Sequence, residues 1–148
     1  MTASVLMERL KADSNLATTL GVGSHIYELQ SIDERPRANG PFIVFNWQES
    51  TFFSQTYTGM QNGIPKAPRV LQIWAHIPWD ISTDYDDLNR ILNRVDSIFA
   101  EIEHATGMDG QRVTVVRPAG RSANLRDEGY NTIARHAVYG VLYDENAA

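Results

Sequence analysis

The sequence of 148 residues contains no cysteine. This absence excludes a disulfide framework, a thiolate nucleophile and any zinc or iron site built on cysteine sulfur. Long apolar runs are missing as well, since no stretch approaches the length that a membrane-spanning helix requires. The first residues also lack the basic start and the continuous apolar segment of a signal peptide. We therefore expect a soluble protein that has no membrane partner, is made in the cytosol and is not secreted through a signal peptide.

Positive charge is also scarce. Lysine and arginine together number 13 against 18 acidic residues, which gives a formal net charge of -5. A protein that grips nucleic acid through a broad surface needs basic side chains to neutralise phosphates. The composition argues against that class of protein, but it is compatible with a protein past which DNA moves without being held.

The signatures of common catalytic and cofactor sites are absent from the sequence. It has no GxSxG nucleophile elbow and no GxxxxGK[ST] phosphate loop. Residues 21–24 contain two glycines, but they follow a predicted helix and lack the third glycine of a dinucleotide-binding loop. The histidines lie far apart, without HxH or HExxH spacing, at His25, His76, His104 and His136. The sequence thus predicts no catalytic residue, no metal site and no cofactor.

A long amphipathic helix of about 22 residues, or about 33 Å, is predicted within residues 82–107. Its apolar positions repeat the i, i+3, i+4, i+7 pattern of one buried face. They are Leu88, Ile91, Leu92, Val95, Ile98, Phe99 and Ile102. A helix of this length can cross a whole sheet, so we expect the rest of the fold to be arranged around it.

The two ends of this helix carry their own signals. Ser82 or Thr83 is expected to cap the first turn, and Gly107 is placed to end the last one. Acidic residues near the beginning suit the positive end of the helix dipole, which explains them without a metal or an acid–base function. They are Asp84, Asp86 and Asp87.

A first helix is predicted over residues 3–20, with a possible break at residues 13–15 and an end at Gly21. β-Branched and aromatic residues predict strands at residues 25–29, 41–48, 69–77, 112–117 and 132–143. Residues 41–48 and 69–77 are natural hairpin partners. His76 and His136 could meet on adjacent strands, where we interpret them as hydrogen-bonded structural residues. Length and composition predict that residues 1–148 form a single domain.

The connection between the two hairpin strands, residues 49–68, is far longer than a hairpin requires. Between residues 50 and 68 the only charged residue is Lys66. Large apolar side chains in an uncharged, adaptable loop are typical of partner-binding surfaces. The candidate interface residues are Phe52, Phe53, Tyr57, Met60 and Ile64. The alternative is that these side chains fold back onto the protein's own core.

A second candidate surface is the predicted glycine-containing loop at residues 118–131. Arg117, Arg121 and Arg126 flank or lie within it, and they could meet phosphates or the carboxylates of a neighbouring subunit. Asp127 and Glu128 offer the alternative of local surface pairing, which contributes little to stability.

The order of elements and several stretches of sequence resemble the tail terminator (tail-completion) family of long-tailed bacteriophages. These stretches are VLMERLKADSNLATTLGVGSHIYE, GPFIVFNWQE, VLQIWAHIPWD, DYDDLNRILNRVDSIF and RHAVYGVLY. Each is a pattern of helix or strand, so the resemblance depends on their order and spacing across nearly the whole chain. It implies an α+β fold with a mostly antiparallel sheet of about four to five strands, two helices and a long hairpin loop.

The resemblance also implies a function. Members of that family form a hexameric ring that caps the tail tube, ends tail elongation and provides the surface that joins the head. The implied partners are further copies of the chain, the tail tube protein and head–tail connector proteins, with DNA passing through the lumen unbound. The implied location is the head-proximal end of the tail, after assembly in the host cytoplasm. The family offers no catalytic residues, so we expect that the chain is not an enzyme.

Two other functions fit the same sequence. One is another phage neck component, such as a head-completion or stopper protein, which shares small size and ring assembly. The other is a small enzyme or ligand-binding domain that uses the loop at residues 118–131. An enzyme would bring titratable side chains together around a cleft, whereas a ring subunit would assemble without a cofactor.

Overall fold

The structure is a computed structural model that describes residues 4–23, 25–28, 40–48 and 69–143. Its helices are α1 (Ser4–Ala12), a short π-helical segment (Asn15–Thr19) and α2 (Tyr85–Ala100). Its strands are β1 (Ile26–Glu28), β2 (Phe42–Gln48), β3 (Arg69–Pro78), β4 (Glu103–Thr106), β5 (Arg112–Arg121), β6 (Leu125–Asp127) and β7 (Thr132–Tyr143). No helix among these residues is both long enough and apolar enough to cross a bilayer.

The strands form one seven-stranded sheet in the order β1-β2-β3-β7-β5-β4, with β6 paired to the remaining part of β7. Every pair is antiparallel except β1 and β2, which run parallel. The predicted hairpin of β2 and β3 is confirmed. The prediction of four to five strands was too low, because β4 and β6 are short and lack an alternating apolar pattern. Their strand conformation comes from pairing with β5 and β7.

The predicted long helix is present but shorter than expected. It ends at Ala100, and residues 103–106, predicted as its last turn, form β4. Its N-cap is Asp84, whose carboxylate accepts a hydrogen bond from the Asp86 amide at 2.9 Å. The prediction of Ser82 or Thr83 as the cap was therefore wrong. Gly107 does not end the helix, because it lies beyond β4 in the turn to β5.

The buried face of α2 is the one that the sequence predicts. The predicted apolar residues Leu88, Ile91, Leu92, Val95, Ile98, Phe99 and Ile102 are all buried. They join a core cluster with the inward residues of β3 and with the apolar side of α1. Burying a large aliphatic or aromatic side chain contributes about 1.5–3 kcal/mol before conformational entropy is subtracted. This helix–sheet contact therefore contributes a large part of the hydrophobic core among the described residues.

The N-terminal helix breaks where the sequence predicts. Asp13 lies between α1 and the π-helical segment, and its carboxylate accepts the Leu16 amide at 2.9 Å. The two oxygens of the same carboxylate accept hydrogen bonds from Nη2 and Nε of Arg94 on α2, at 2.6 and 3.0 Å. The hydrogen bonds with Arg94 lower the pKa of Asp13 and outweigh the effect of burial. The chain then turns at Gly21, whose φ of +72° suits a residue without a side chain.

Half of the second predicted loop is strand. β5 continues to Arg121 instead of ending at Arg117, with a register shift between Pro118 and Gly120 on β7. Gly120 has a φ of +129°, which bulged strands commonly place on glycine. Residues 125–127 then form β6 against the first residues of β7. The prediction of a loop over residues 118–131 was therefore wrong for residues 118–121 and 125–127, which pair with the long β7, and right for residues 122–124 and 128–131.

Replacing Ile98 by Asp should unfold the domain, because it places a charge on the buried face of α2. The neighbouring Ser97 is exposed, so Ser97→Asp is the matched control. We expect Ile98→Asp to lower the free energy of unfolding by about 3–5 kcal/mol and Ser97→Asp to change it by about 0.5 kcal/mol or less. Urea denaturation followed by tryptophan fluorescence measures both. Equal stabilities for the two variants would contradict this assignment of the buried face.

Candidate interaction surfaces

The apolar interface residues predicted in the connection between β2 and β3 lie outside the described part of the chain, and they stay a prediction. They are Phe52, Phe53, Tyr57, Met60 and Ile64. The two ends of this connection are described. Gln48 pairs with Val70 in the last rung of the hairpin. The Arg69 guanidinium lies over the Trp47 ring, 4.9 Å from its centroid. A cation on an indole face is a stabilising contact. It holds together the two strand ends between which the connection runs.

The three predicted arginines do not converge on one site. Arg121 lies on the helix side of the sheet, where it donates hydrogen bonds to Asp96 at 2.6 Å and to Asn93 at 2.7 Å on α2. The Arg126 guanidinium stacks on the Trp79 ring, 4.3 Å from its centroid. Arg117 is exposed and pairs with Gly140 in the register, on the other side of the sheet from the core. A single anion-binding cluster of these three side chains is therefore not formed.

Arg121 belongs to a network that reaches the core. The buried Tyr139 donates its hydroxyl hydrogen bond to one oxygen of Asp96, while Arg121 occupies the other oxygen. Burial, followed by the hydrogen bond to Asp96, raises the pKa of Tyr139. Asp96 is thereby shared between a buried phenol and a partly exposed guanidinium. The network connects α2 with β5 and β7. Arg121 therefore has a structural role within the domain.

The face of the sheet opposite α2 carries a cluster of rings. His76 is only 3% exposed, and its Nδ1 lies 2.8 Å from the Thr132 hydroxyl. The Phe42 ring stacks on the imidazole with centroids 4.6 Å apart, and the Tyr130 ring packs edge-on at 5.2 Å. This confirms His76 as a hydrogen-bonded structural residue. The cluster covers the part of this face where β2, β3 and β7 meet.

A more exposed part of the same face continues from this cluster. The rings of Trp74 and His136, which are register partners on β3 and β7, have centroids 4.4 Å apart. The Gln72 side-chain oxygen accepts hydrogen bonds from the Trp74 indole and from the Asn46 amide, both at 3.2 Å. Sequence analysis did not identify this surface. The sequence signal for this surface is the alternation along β3. Gln72, Trp74 and His76 lie on one face of the strand, and the core residues between them lie on the other.

Titratable groups within the described residues do not assemble into a metal site, since no three histidine or acidic side chains converge there. The pKa shifts have structural causes. Burial lowers the pKa of His76 to about 4, against a small opposing effect of the Asp127 charge. Burial also lowers the pKa of His136. Both histidines are therefore held in the neutral form at pH 7.

Comparisons with known proteins identify the fold. No family model matches the sequence, and no curated protein matches it. Among solved structures, the chain is similar to a chain of the virion of a native gene transfer agent (GTA) particle. That similarity has a TM-score of 0.65 at 14% sequence identity, and it covers 93% of this chain and 90% of that chain. The two chains therefore share a fold over nearly their whole lengths.

The different positions of the arginines predict different effects on stability. Arg121→Ala should lower the free energy of unfolding by about 1 kcal/mol, because it leaves Asp96 without its cation. Arg117→Ala should change it by about 0.5 kcal/mol or less, because Arg117 is exposed. Urea denaturation of both variants measures the difference. Equal losses would show that the Arg121–Asp96 pair contributes nothing to the fold.

The buried His76 predicts that the protein loses stability in mild acid. Its pKa falls from an ordinary 6.5 to about 4 in the fold, so the unfolded chain takes up the proton first. Stability is full above pH 6.5 and falls by about 3 kcal/mol as the pH drops to 4. His76→Gln should flatten this slope in a pH series of urea denaturation curves. His104→Gln, on an exposed position, is the control for loss of a histidine, and an unchanged slope in His76→Gln would contradict the prediction.

Proposed function

We propose that this chain is a structural protein of a phage-like virion. The observation that carries the proposal is the extent of the fold likeness to a chain of a virion particle, which leaves little of either chain unmatched. A shared fragment, such as one βαβ unit, would not extend over both chains in this way. The sequence resemblance to the tail terminator family points to the same class of protein.

Within this class we assign the chain to the end of the tail, as the ring that caps the tube and receives the head. Three features support this finer assignment. The element order that underlies the resemblance is the observed order of α1, β1, the β2–β3 hairpin, α2, β5 and β7. The hairpin carries the long connection at residues 49–68, in which Glu49 and Lys66 are the only charged residues. The net charge of -5 suits a ring whose wall lets DNA pass without trapping its phosphates.

The shape of the subunit is suited to a heterologous ring. All described helices pack on one face of the sheet, so its two faces have different chemistry. The polar back of α2 is charged, whereas the opposite face presents amides and rings such as Gln72 and Trp74. Head-to-tail contact between unlike surfaces forms a ring when the rotation closes. In this proposal the chain acts by assembly with its own copies, the tail tube and neck proteins, and not by catalysis.

The location in the particle tests the proposal directly. The chain carrying a short epitope tag is expressed in cells producing the virus that encodes it, and purified particles are labelled with gold-conjugated antibody. We expect label at the head-proximal end of the tail in every particle. The mass of the purified chain in solution and negative-stain imaging test for a ring of about six subunits. Label on the capsid, on the distal tip or on no particle would contradict the proposal.

Deleting residues 52–64 should leave the domain folded and prevent its attachment to tails. The ends of the hairpin are fixed by the Gln48–Val70 pair and by Arg69 on Trp47, and about seven remaining residues are enough to close it. Circular dichroism and thermal melting test the folding, and cosedimentation with purified tails tests the attachment. A variant with the same segment replaced by Gly and Ser of equal length is the control for connection length. Wild-type attachment by both variants would show that these side chains are not an interface.

A further inference from the structure

Gly140 is a glycine that the domain's own packing does not explain. It lies inside the central strand β7 between the buried Tyr139 and Val141, so a side chain there would point to the face opposite α2. Its φ is not positive, in contrast to that of Gly120 on β5. Apart from its chain neighbours, no atom of the described residues lies within 4 Å of a Cβ built on it. Glycine inside a strand weakens the strand and often marks a place where another chain or a ligand approaches closely.

Half-buried apolar side chains surround this position and leave a hollow with Gly140 as its floor. Val138 and Leu142 are its neighbours on the same face of β7, and Val70 is its register partner on β3. On the other side, Gly140 pairs with the exposed Arg117 of β5. None of the ion pairs among the described residues includes Arg117. The Gly140 hollow is therefore apolar, with a cation at its rim.

The turn at residues 107–110, between β4 and β5, presents a side chain that suits such a hollow. Within the described residues, two large hydrophobic side chains are exposed, Met108 at 93% and Ile81 at 51%. The turn is closed by the bond from the Gly110 amide to the Gly107 carbonyl, at 3.0 Å. At this exposure Met108 contributes nothing to the core of its own domain. Methionine is unbranched and polarisable, and it fills irregular apolar gaps well.

Hydrogen bonds with α1 hold this turn and place two carboxylates beside the methionine. The Met108 amide donates to the Glu8 carboxylate at 2.9 Å. The Asp109 amide donates to the Ser4 hydroxyl at 3.1 Å, and the Asp109 carboxylate accepts the Ser4 amide at 3.0 Å. A side chain on a backbone held in this way loses little backbone entropy when it binds. The carboxylates of the turn complement the charge of Arg117 at the rim of the hollow.

We propose that copies of this chain associate head to tail, with Met108 of one copy in the Gly140 hollow of the next. Arg117 of the second copy then faces the carboxylates beside Met108, so the two surfaces match in shape and in charge. Because they are different surfaces of one chain, the contact is heterologous and repeats from copy to copy. The inference deepens the proposed function and rests on it for the expectation that the repeated contact closes into a ring.

Sedimentation velocity of the full-length chain, over concentrations up to its solubility limit, tests the contact. We expect the wild type to form species larger than a dimer. Met108→Ser should weaken association by about tenfold to a hundredfold because it removes the buried side chain, and Gly140→Val should do the same because it fills the hollow. Ile81→Ser, the matched loss of the other exposed apolar side chain, should stay within about threefold of the wild type. Equal association by all four proteins would refute the contact.

The melting temperature of Gly140→Ala shows whether the domain itself needs the glycine. We expect a rise of about 1–4 °C in dilute solution, where the wild type is monomeric, because alanine is the better strand residue and its Cβ meets open space. A fall of similar size would show that the fold requires glycine here, and the argument for a hollow kept open for a second copy would be overturned.

Mixing two variants tests the head-to-tail order. Met108→Ser keeps the hollow and Gly140→Val keeps the methionine, so a mixture of the two can form one intact contact. We expect each variant alone to be monomeric and the equimolar mixture to form dimers and nothing larger. A mixture that stays monomeric would overturn the inference. A wild type that remains monomeric or stops at dimers would overturn it as well.

The outcomes separate this contact from the proposed function. If gold label marks the head-proximal end of tails but Met108→Ser and Gly140→Val associate like the wild type, the contact is refuted and the tail assignment stands. If the wild type associates through Met108 and Gly140 but no tail carries label, the contact between copies stands, and the tail ring fails together with the proposed function.

Discussion

The packing of α2 against the centre of the sheet is the interaction on which the remaining structure depends, and Tyr139 is at its middle. The Phe99 ring meets the Tyr139 ring edge-on with centroids 4.9 Å apart, an arrangement that aromatic pairs prefer. The Tyr139 hydroxyl is satisfied by Asp96 from the same helix, and Arg121 completes the group. One helix thus supplies the apolar surface, the carboxylate that accepts the Tyr139 hydrogen bond and the contact with Arg121 on β5. Together these contacts fix the position of α2 on the sheet.

This dependence explains which parts of the fold the sequence predicts. The apolar stripe of α2 and the strands β2, β3 and β7 are periodic or rich in β-branched residues, so their local pattern agrees with their final state. β4 is different. Glu103 and His104 are exposed, and His104 has a φ of +50°, so nothing in this segment favours a strand by itself. It follows the buried Ile102 onto the edge of β5, where pairing decides its conformation.

The candidate surfaces likewise depend partly on local sequence patterns and partly on tertiary contacts that the sequence does not show. Proximity to carboxylates at residues 127 and 128 suggested local pairing for the arginines, but Arg121 finds Asp96 on α2 and Arg126 finds Trp79, both distant in the chain. Such contacts depend on the tertiary arrangement and leave no local pattern. The position of Met108 also depends on tertiary contacts. In the sequence it is one apolar residue, and the structure shows that its amide bonds to Glu8 on α1 and that its side chain is 93% exposed.

The two faces of the sheet differ in how their side chains are shielded from water. A sheet needs cover on any face that is strongly apolar, and the helices cover one. On the other face, His76 is buried by the stacked Phe42 ring and the edge-on Tyr130 ring, and the Gln72 side chain accepts a hydrogen bond from Asn46. None of the described helices covers this face, and His76 is buried there among the rings by Phe42, Tyr130 and Thr132. Within the described residues, the hydrophobic core therefore lies between the helices and one face of the sheet, while the other face is closed only by contacts among its own side chains.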